Sequence, residues 1–151
     1  MSLEQWRQNG WLQRSDATVP EIQQLFAIVD REIADAAIEA LSTEGRFEHA
    51  YHAALQLCAI PLRSSGYRVP KGGWLHKRTI ESLRHTLGEP HAETAIYLDR
   101  CSRQRGRTVY EQVGVVTRRD VEDLLSITRQ LRTTVVVWLR AVHPELLPPA
   151  L

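Results

Sequence analysis

Val121-Glu122-Asp123-Leu124-Leu125-Ser126-Ile127-Thr128-Arg129-Gln130-Leu131-Arg132-Thr133-Thr134-Val135-Val136-Val137-Trp138-Leu139-Arg140-Ala141-Val142 is the stretch on which the fold turns. Within it Val121, Leu124, Leu125, Thr128, Leu131, Val135, Trp138, Leu139 and Val142 recur at three- and four-residue steps, one stripe of a helix. Thr133 to Trp138 taken alone has the β-branched and aromatic character of a strand. A solitary strand would have no partner for its backbone, so the periodicity decides and the segment is predicted helical. Thr117 stands in front of it as an N-cap, with Asp120 in the place where Glu or Gln usually completes a capping box.

The same period recurs in the rest of the chain. Behind Thr18 or Val19 as the entry, Pro20 opens a helix whose stripe is Ile22, Leu25, Phe26, Val29, Ile33, Ala36, Ala37, Ala40 and Leu41. Gly45 breaks or softens the chain, and a second stripe runs Phe47, Ala50, Tyr51, Ala54, Leu55, Cys58 and Leu62. Pro61 is expected to kink or end it, because proline lacks the amide hydrogen and clashes with the preceding turn. Ser64 to Gly73 reads as a loop. A third helix carries Leu75, Thr79, Ile80, Leu83 and Leu87 up to Gly88. Pro90 opens a fourth, with Ala92, Ala95, Ile96, Asp99 and Cys101 inward, that stops near Gly106. The expectation is an all-α chain: an up-and-down bundle of four to five helices in one domain over residues 1–151. Residues 1–19, with Trp6, Trp11 and Leu12, form an extension with a short helix packed on the bundle, and 144–151 form a Pro-rich tail.

Composition sets the outer limits. The chain has 151 residues, 43% hydrophobic and 25% charged, which excludes disorder, a collagen-like fibre and a disulfide-built miniprotein. No apolar run approaches the roughly 20 residues that cross a bilayer, so no membrane partner is expected. Met1 to Trp6 lacks a signal-peptide layout, and Cys58 and Cys101 form no ligand-spaced cluster, so the expected location is the cytoplasm. The net charge is +1, yet it is unevenly placed. Glu21 to Glu48 is acidic. Arg63 to His85 is basic through Arg63, Arg68, Lys71, Lys77, Arg78 and Arg84, and Arg100, Arg103, Arg105 and Arg107 follow with no acid among them. An anion-binding face and a merely solvated basic face both fit that pattern.

Most templates for chemistry fail. His49 and His52 stand three apart beside Glu48, a spacing that can share a metal, but no carboxylate-x-x-His repeat accompanies them. They read as two partly exposed helix histidines, and His76, His85, His91 and His143 are scattered; no metal is expected. Lys71-Gly72-Gly73 lacks the remainder of a phosphate loop, no Gly-x-Ser-x-Gly elbow occurs, and neither cysteine has a nucleophile's setting, so no cofactor is implied. The unusual stretch is Tyr97 to Glu111. Four arginines followed by Tyr110 make a fork-rich anion site, since guanidinium binds phosphate bidentately and keeps its proton. An ion-paired helix end, with Glu111, Asp120 or Glu122 as partners, accounts for the same residues.

Three pieces together resemble a HEPN domain, a small helical-bundle family. They are Glu48-His49-Ala50-Tyr51-His52-Ala53-Ala54, His76-Lys77-Arg78-Thr79-Ile80-Glu81-Ser82-Leu83, and Arg103 to Tyr110, within a helix order spanning Pro20 to Val142. Many members of that family are metal-independent RNases, often toxins paired with a small nucleotidyltransferase antitoxin. Their signature is an arginine followed, after four to six residues, by a histidine, and some carry a tyrosine two positions further. With Arg103 as that arginine, Thr108 takes the histidine position and Tyr110 the trailing tyrosine. With Arg105, Tyr110 itself stands at the histidine position. The histidine is missing in both registers, which removes the group best suited to take a ribose hydroxyl proton near neutral pH.

The resemblance therefore implies a HEPN-like protein of a bacterial toxin–antitoxin or defence module that binds RNA or a nucleotide. Arg103, Arg105 and Tyr110 are its catalytic candidates and Arg100, Arg107, Lys71, Lys77 and Arg78 its binding candidates. A homodimer is expected, since members commonly face their arginine motifs across a twofold cleft. If an enzyme, it is a metal-independent endoribonuclease; the alternative is a non-catalytic module that docks a nucleotidyltransferase or another protein.

Overall fold

The computed structural model describes residues 1–72, 74–110 and 114–151, the side chains of 107–110 excepted. The chain is an all-α bundle. Its long helices are α2 (Val19–Ala36), α3 (Thr43–Ser64), α6 (Ala92–Tyr110) and α7 (Arg118–Val142), with shorter α1 (Leu3–Gln8), α4 (Leu75–Glu81) and α5 (Leu83–Thr86). No helix among the described residues is long and apolar enough to cross a membrane.

The segment from Val121 to Val142 is helical throughout, strand-like valines included. Val121, Leu124, Leu125, Thr128, Leu131, Val135 and Leu139 are buried. Thr117 and Asp120 form the reciprocal capping box: the Asp120 amide donates to the threonine hydroxyl and the Thr117 amide to the carboxylate. Thr18 caps α2 from one side, its hydroxyl accepting from the Glu21 amide.

α3 is the hub, with α2, α4, α5, α6 and α7 all packed against it. This explains why its buried set covers more than one face. Phe47, Tyr51, Leu57 and Ile60 are at most 1% exposed, each worth about 1.5–3 kcal/mol of apolar transfer. α2 turns back on α3 after Ala36, earlier than the stripe predicts. Ala40 and Leu41 fall in the connecting turn and are exposed, because Ser42 caps α3 and Arg46 Nε, from the buried side of α3, donates to the Ala36 carbonyl at 2.8 Å. Gly45 does not break the chain. It sits in the first turn of α3 and donates its amide to Ser42 Oγ at 3.0 Å, and a Cβ there would stand 2.9 Å from that oxygen.

Pro61 does not end α3. One more turn follows, held by Leu62, which is buried in a second cluster with Trp6, Leu12 and Tyr67, and by Arg63. The Arg63 guanidinium grips both Glu21 carboxylate oxygens at 2.9 Å and donates to the Ser15 and Tyr67 carbonyls. Beside it Gln13–Arg14 (β1) pairs antiparallel with Tyr67–Arg68 (β2), a ladder within the stretch expected to be only loop.

The predicted third helix is two pieces. Ser82 Oγ donates to the Thr79 carbonyl at 2.7 Å, taking an acceptor at the α4–α5 junction. On α6 the inward set is Ala95, Leu98 and Cys101; Ile96, expected inward, is 60% exposed. That helix continues past Gly106 to Tyr110, so Tyr110 belongs to a helix rather than a loop. In the Pro-rich terminal stretch, Leu146, Leu147 and Leu151 pack against the core.

Candidate functional site

α4 and α6 lie side by side over α3 and enclose an open pocket of about 530 Å³. α4 and the residues before it contribute Gly72, Trp74, Leu75, His76 and Lys77; α6 contributes Asp99, Ser102 and Arg103. Asp99, Ser102 and Arg103 share a helix face by their three- and four-residue spacing. A smaller hollow of about 160 Å³ adjoins, sharing Gly72 and Trp74 and lined also by Trp11, Lys71 and Arg78. Arg78 stacks its guanidinium 3.8 Å from the centre of the Trp11 ring. Trp74, between the two, is 60% exposed.

Beneath the pocket lies a polar chain that the sequence left unconnected. Tyr51, on the buried stripe of α3, places its hydroxyl 3.0 Å from His76 Nδ1. Burial pushes the Tyr51 phenol up to about 12, against the opposing pull of a hydrogen bond with Ser102 and of the Arg105 charge. His76 is held below its ordinary value, first by burial and then by Arg105. It is therefore a neutral imidazole at neutral pH. Arg105 Nε bonds Glu48 Oε2 at 2.6 Å, and its guanidinium lies 5.5 Å from the Tyr51 ring centre. Arg103 is 70% exposed on the pocket side and 3.5 Å from Asp99 Oδ2; Lys77 is 3.6 Å from Glu81.

The sequence candidates thus divide. Arg103 and Lys77 line the large pocket, and Lys71 and Arg78 the adjoining one. Arg105 stands behind, held to α3 through Glu48. Arg100 is not brought to the pocket; it lies over the ring of Tyr97. The side chains of Arg107 and Tyr110 are outside the described residues, as are Thr108's and all of Gly73 and Glu111. The sequence pattern alone does not mark His76, Tyr51, Ser102, Glu48 or Trp74 as site residues. His76 and Tyr51 do fall in the pieces that carry the family resemblance, but Tyr51 reads locally as core and His76 as an isolated histidine.

One hydrogen bond allows two proton placements on His76. With Tyr51 donating to Nδ1, Nε2 carries the hydrogen and is a donor. With Nδ1–H donating to the phenol oxygen, Nε2 has the free lone pair of a base. A neutral histidine, an arginine and a lysine around one pocket can take a proton and hold a phosphate. The thiols cannot serve as nucleophiles: burial pushes Cys58 up to about 12 and Cys101 up to about 11.

No protein-family model, curated protein or solved structure matches this chain.

Proposed function

We propose that the chain is a HEPN-type protein that binds single-stranded RNA across the α4–α6 pocket and cleaves it without a metal. The observation that carries this reading is the placement of His76, neutral and hydrogen-bonded to Tyr51, in the same pocket as Arg103 and Lys77. His76 then takes the part of the histidine that the Arg103–Tyr110 motif lacks.

The mechanism follows from the chemistry of these groups. Arg103 and Lys77 hold the scissile phosphate. His76 removes the ribose 2′-hydroxyl proton, the alkoxide attacks phosphorus, and the cations stabilise the added charge as the 5′-oxygen leaves. The products are a 2′,3′-cyclic phosphate and a free 5′-hydroxyl, to which the histidine returns a proton. Arg105, tied to Glu48 beside Tyr51, is a positioning residue. Trp74 offers its exposed ring to a base, with Lys71 and Arg78 further along the strand, the combination of stacking and charge that suits single strands. A toxin–antitoxin or defence setting, a nucleotidyltransferase partner and a homodimer that joins two such pockets belong to the same proposal.

A second reading has its own observation. Trp74 and Leu75, 60% and 47% exposed at the pocket edge, also suit a non-catalytic docking face for a protein. The test is incubation of a mixed RNA pool with the protein in EDTA. Fragments ending in cyclic phosphate are expected, and their loss in His76→Ala and Arg103→Ala. Folded wild type that binds RNA without cutting it refutes the enzymatic part, and one that neither binds nor cuts leaves the docking face.

A further inference from the structure

Away from the pocket, α2 and α3 bring together two pairs of metal-ligating side chains at three-residue spacing, Glu32 with Asp35 and His49 with His52. Read along α3 alone, the histidines are two partly exposed side chains. The fold sets the carboxylates of α2 opposite them. One ligand atom each from Glu32, Asp35 and His49 lies within 4.8 Å of the others. His49 Nδ1 is 2.6 Å from Glu32 Oε2 and 4.0 Å from Asp35 Oδ2; His52 Nδ1 is 3.6 Å from Glu32 Oε1.

We propose that Glu32, Asp35 and His49 bind one divalent transition-metal ion of the zinc class, which ties α2 to α3 with His52 as a neighbouring donor. Glu32 is an unusual residue to bury: its side chain is 7% exposed in the middle of an amphipathic helix. Its other oxygen is fixed by Arg31, Nε at 3.2 Å and Nη2 at 2.9 Å from Oε1, which turns Oε2 toward His49. Such outer hydrogen bonds orient carboxylate ligands in metal sites. Bonds of 2.0–2.2 Å to a tetrahedral ion put ligand atoms about 3.4 Å apart. The 2.6 Å and 4.0 Å separations straddle that value, so small side-chain rotations admit the ion in place of the hydrogen between His49 and Glu32.

Imidazole beside two carboxylates favours zinc, cobalt or nickel over magnesium and calcium, which prefer all-oxygen shells. Three protein ligands leave a fourth position to water or to His52.

The test uses the full chain, stripped with EDTA and desalted, titrated with ZnCl2 by calorimetry. One binding event per chain is expected, weakened at least tenfold in His49→Ala and in Asp35→Asn, and unchanged in His143→Ala. Asp35 is on the half-exposed side of the cluster, so Asp35→Asn stays informative if His49→Ala fails to fold. Co2+ in place of Zn2+ should give the visible absorption of a low-coordinate ion in wild type and not in Asp35→Asn. Absence of Zn2+ binding, binding that survives Asp35→Asn, or Mg2+ binding as tightly as Zn2+ would each overturn the proposal. The site shares no residue with the α4–α6 pocket, so RNA cleavage in EDTA succeeds or fails independently of it.

Discussion

The hydroxyl of Tyr51 and Nδ1 of His76 stand 3.0 Å apart, although 25 positions separate the residues in sequence. The phenol is anchored on α3, itself buried, and keeps its proton well above neutral pH, since burial pushes it up to about 12. It therefore meets the imidazole as a neutral, rigidly held partner. The ring on α4 gains a fixed orientation from α3, beside Ser102 and Arg103 from α6.

Removing that partner should separate orientation from packing. Tyr51→Phe keeps the ring in the core and leaves the protein folded, at a cost of about 1 kcal/mol for the lost hydrogen bond. RNA cleavage should fall by about tenfold or more, as expected when a proton-transfer group loses its alignment. Urea unfolding and single-turnover cleavage check the two arms; undiminished cleavage would remove Tyr51 from the mechanism.

The pH profile of cleavage follows from the state of His76. Only the neutral imidazole accepts a proton, and burial with the Arg105 charge holds its pKa below the ordinary 6.5. The rate should rise through a pKa below about 6.5 and stay level across neutral pH. A profile that is still rising steeply from pH 7 to 8 would assign the base to another group.

Stability should also depend on acidity. His76 and His85 are both held low, chiefly by burial, so the unfolded chain binds more protons than the native one as pH falls. Their contribution is fully present above the unfolded value of about 6.5 and is lost as pH drops through the folded values. The urea midpoint should be lower at about pH 5.5 than at 7.5, and the difference smaller in a His76→Ala, His85→Ala double variant.

Arg63 closes the end of α3 that Pro61 weakens. Its fork satisfies Glu21, Ser15 and Tyr67 at once, with its side chain 10% exposed. Arg63→Ala should cost about 3 kcal/mol, because it strips several acceptors of their donor. Arg63→Lys should recover little of it, since a point charge cannot make the bidentate contact. Denaturant midpoints measure both, and full rescue by lysine would show that charge alone matters.

Gly45 is a helical glycine whose replacement by alanine should not show the usual gain. Glycine to alanine inside a helix ordinarily stabilises by up to about 1 kcal/mol. Here the new Cβ would meet Ser42 Oγ at 2.9 Å, displacing the cap of α3. Gly45→Ala should therefore bring no net gain, the loss of a cap worth about 1 kcal/mol offsetting it, and turn stabilising in a Ser42→Ala background. A double-mutant cycle read by thermal melts decides it.

Much of the fold was legible along the chain. The stripe of α7 and its Thr117–Asp120 box, the entry to α2 at Thr18 or Val19 and the core face of α3 all depend on residues a few positions apart, joined by helical hydrogen bonds. Tertiary packing decides the boundaries and one of the faces. Arg46 takes up the carbonyl that closes α2 at Ala36, Leu62 and Arg63 carry α3 past its proline, and Leu98 replaces Ile96 on the inner face of α6.

The site was legible only by halves. Arg103, Lys71, Lys77 and Arg78 announce a basic face because charge accumulates along the sequence; the fold sets Arg103 and Lys77 on the large pocket and Lys71 and Arg78 on the adjoining hollow. His76 beside Tyr51, and Glu32 beside His49, were decided by tertiary structure alone. Periodicity tells which face of a helix is buried, but not which residue of another helix stands opposite it. That is set by how the bundle packs around α3, and the chemistry proposed for both sites rests on those opposed pairs.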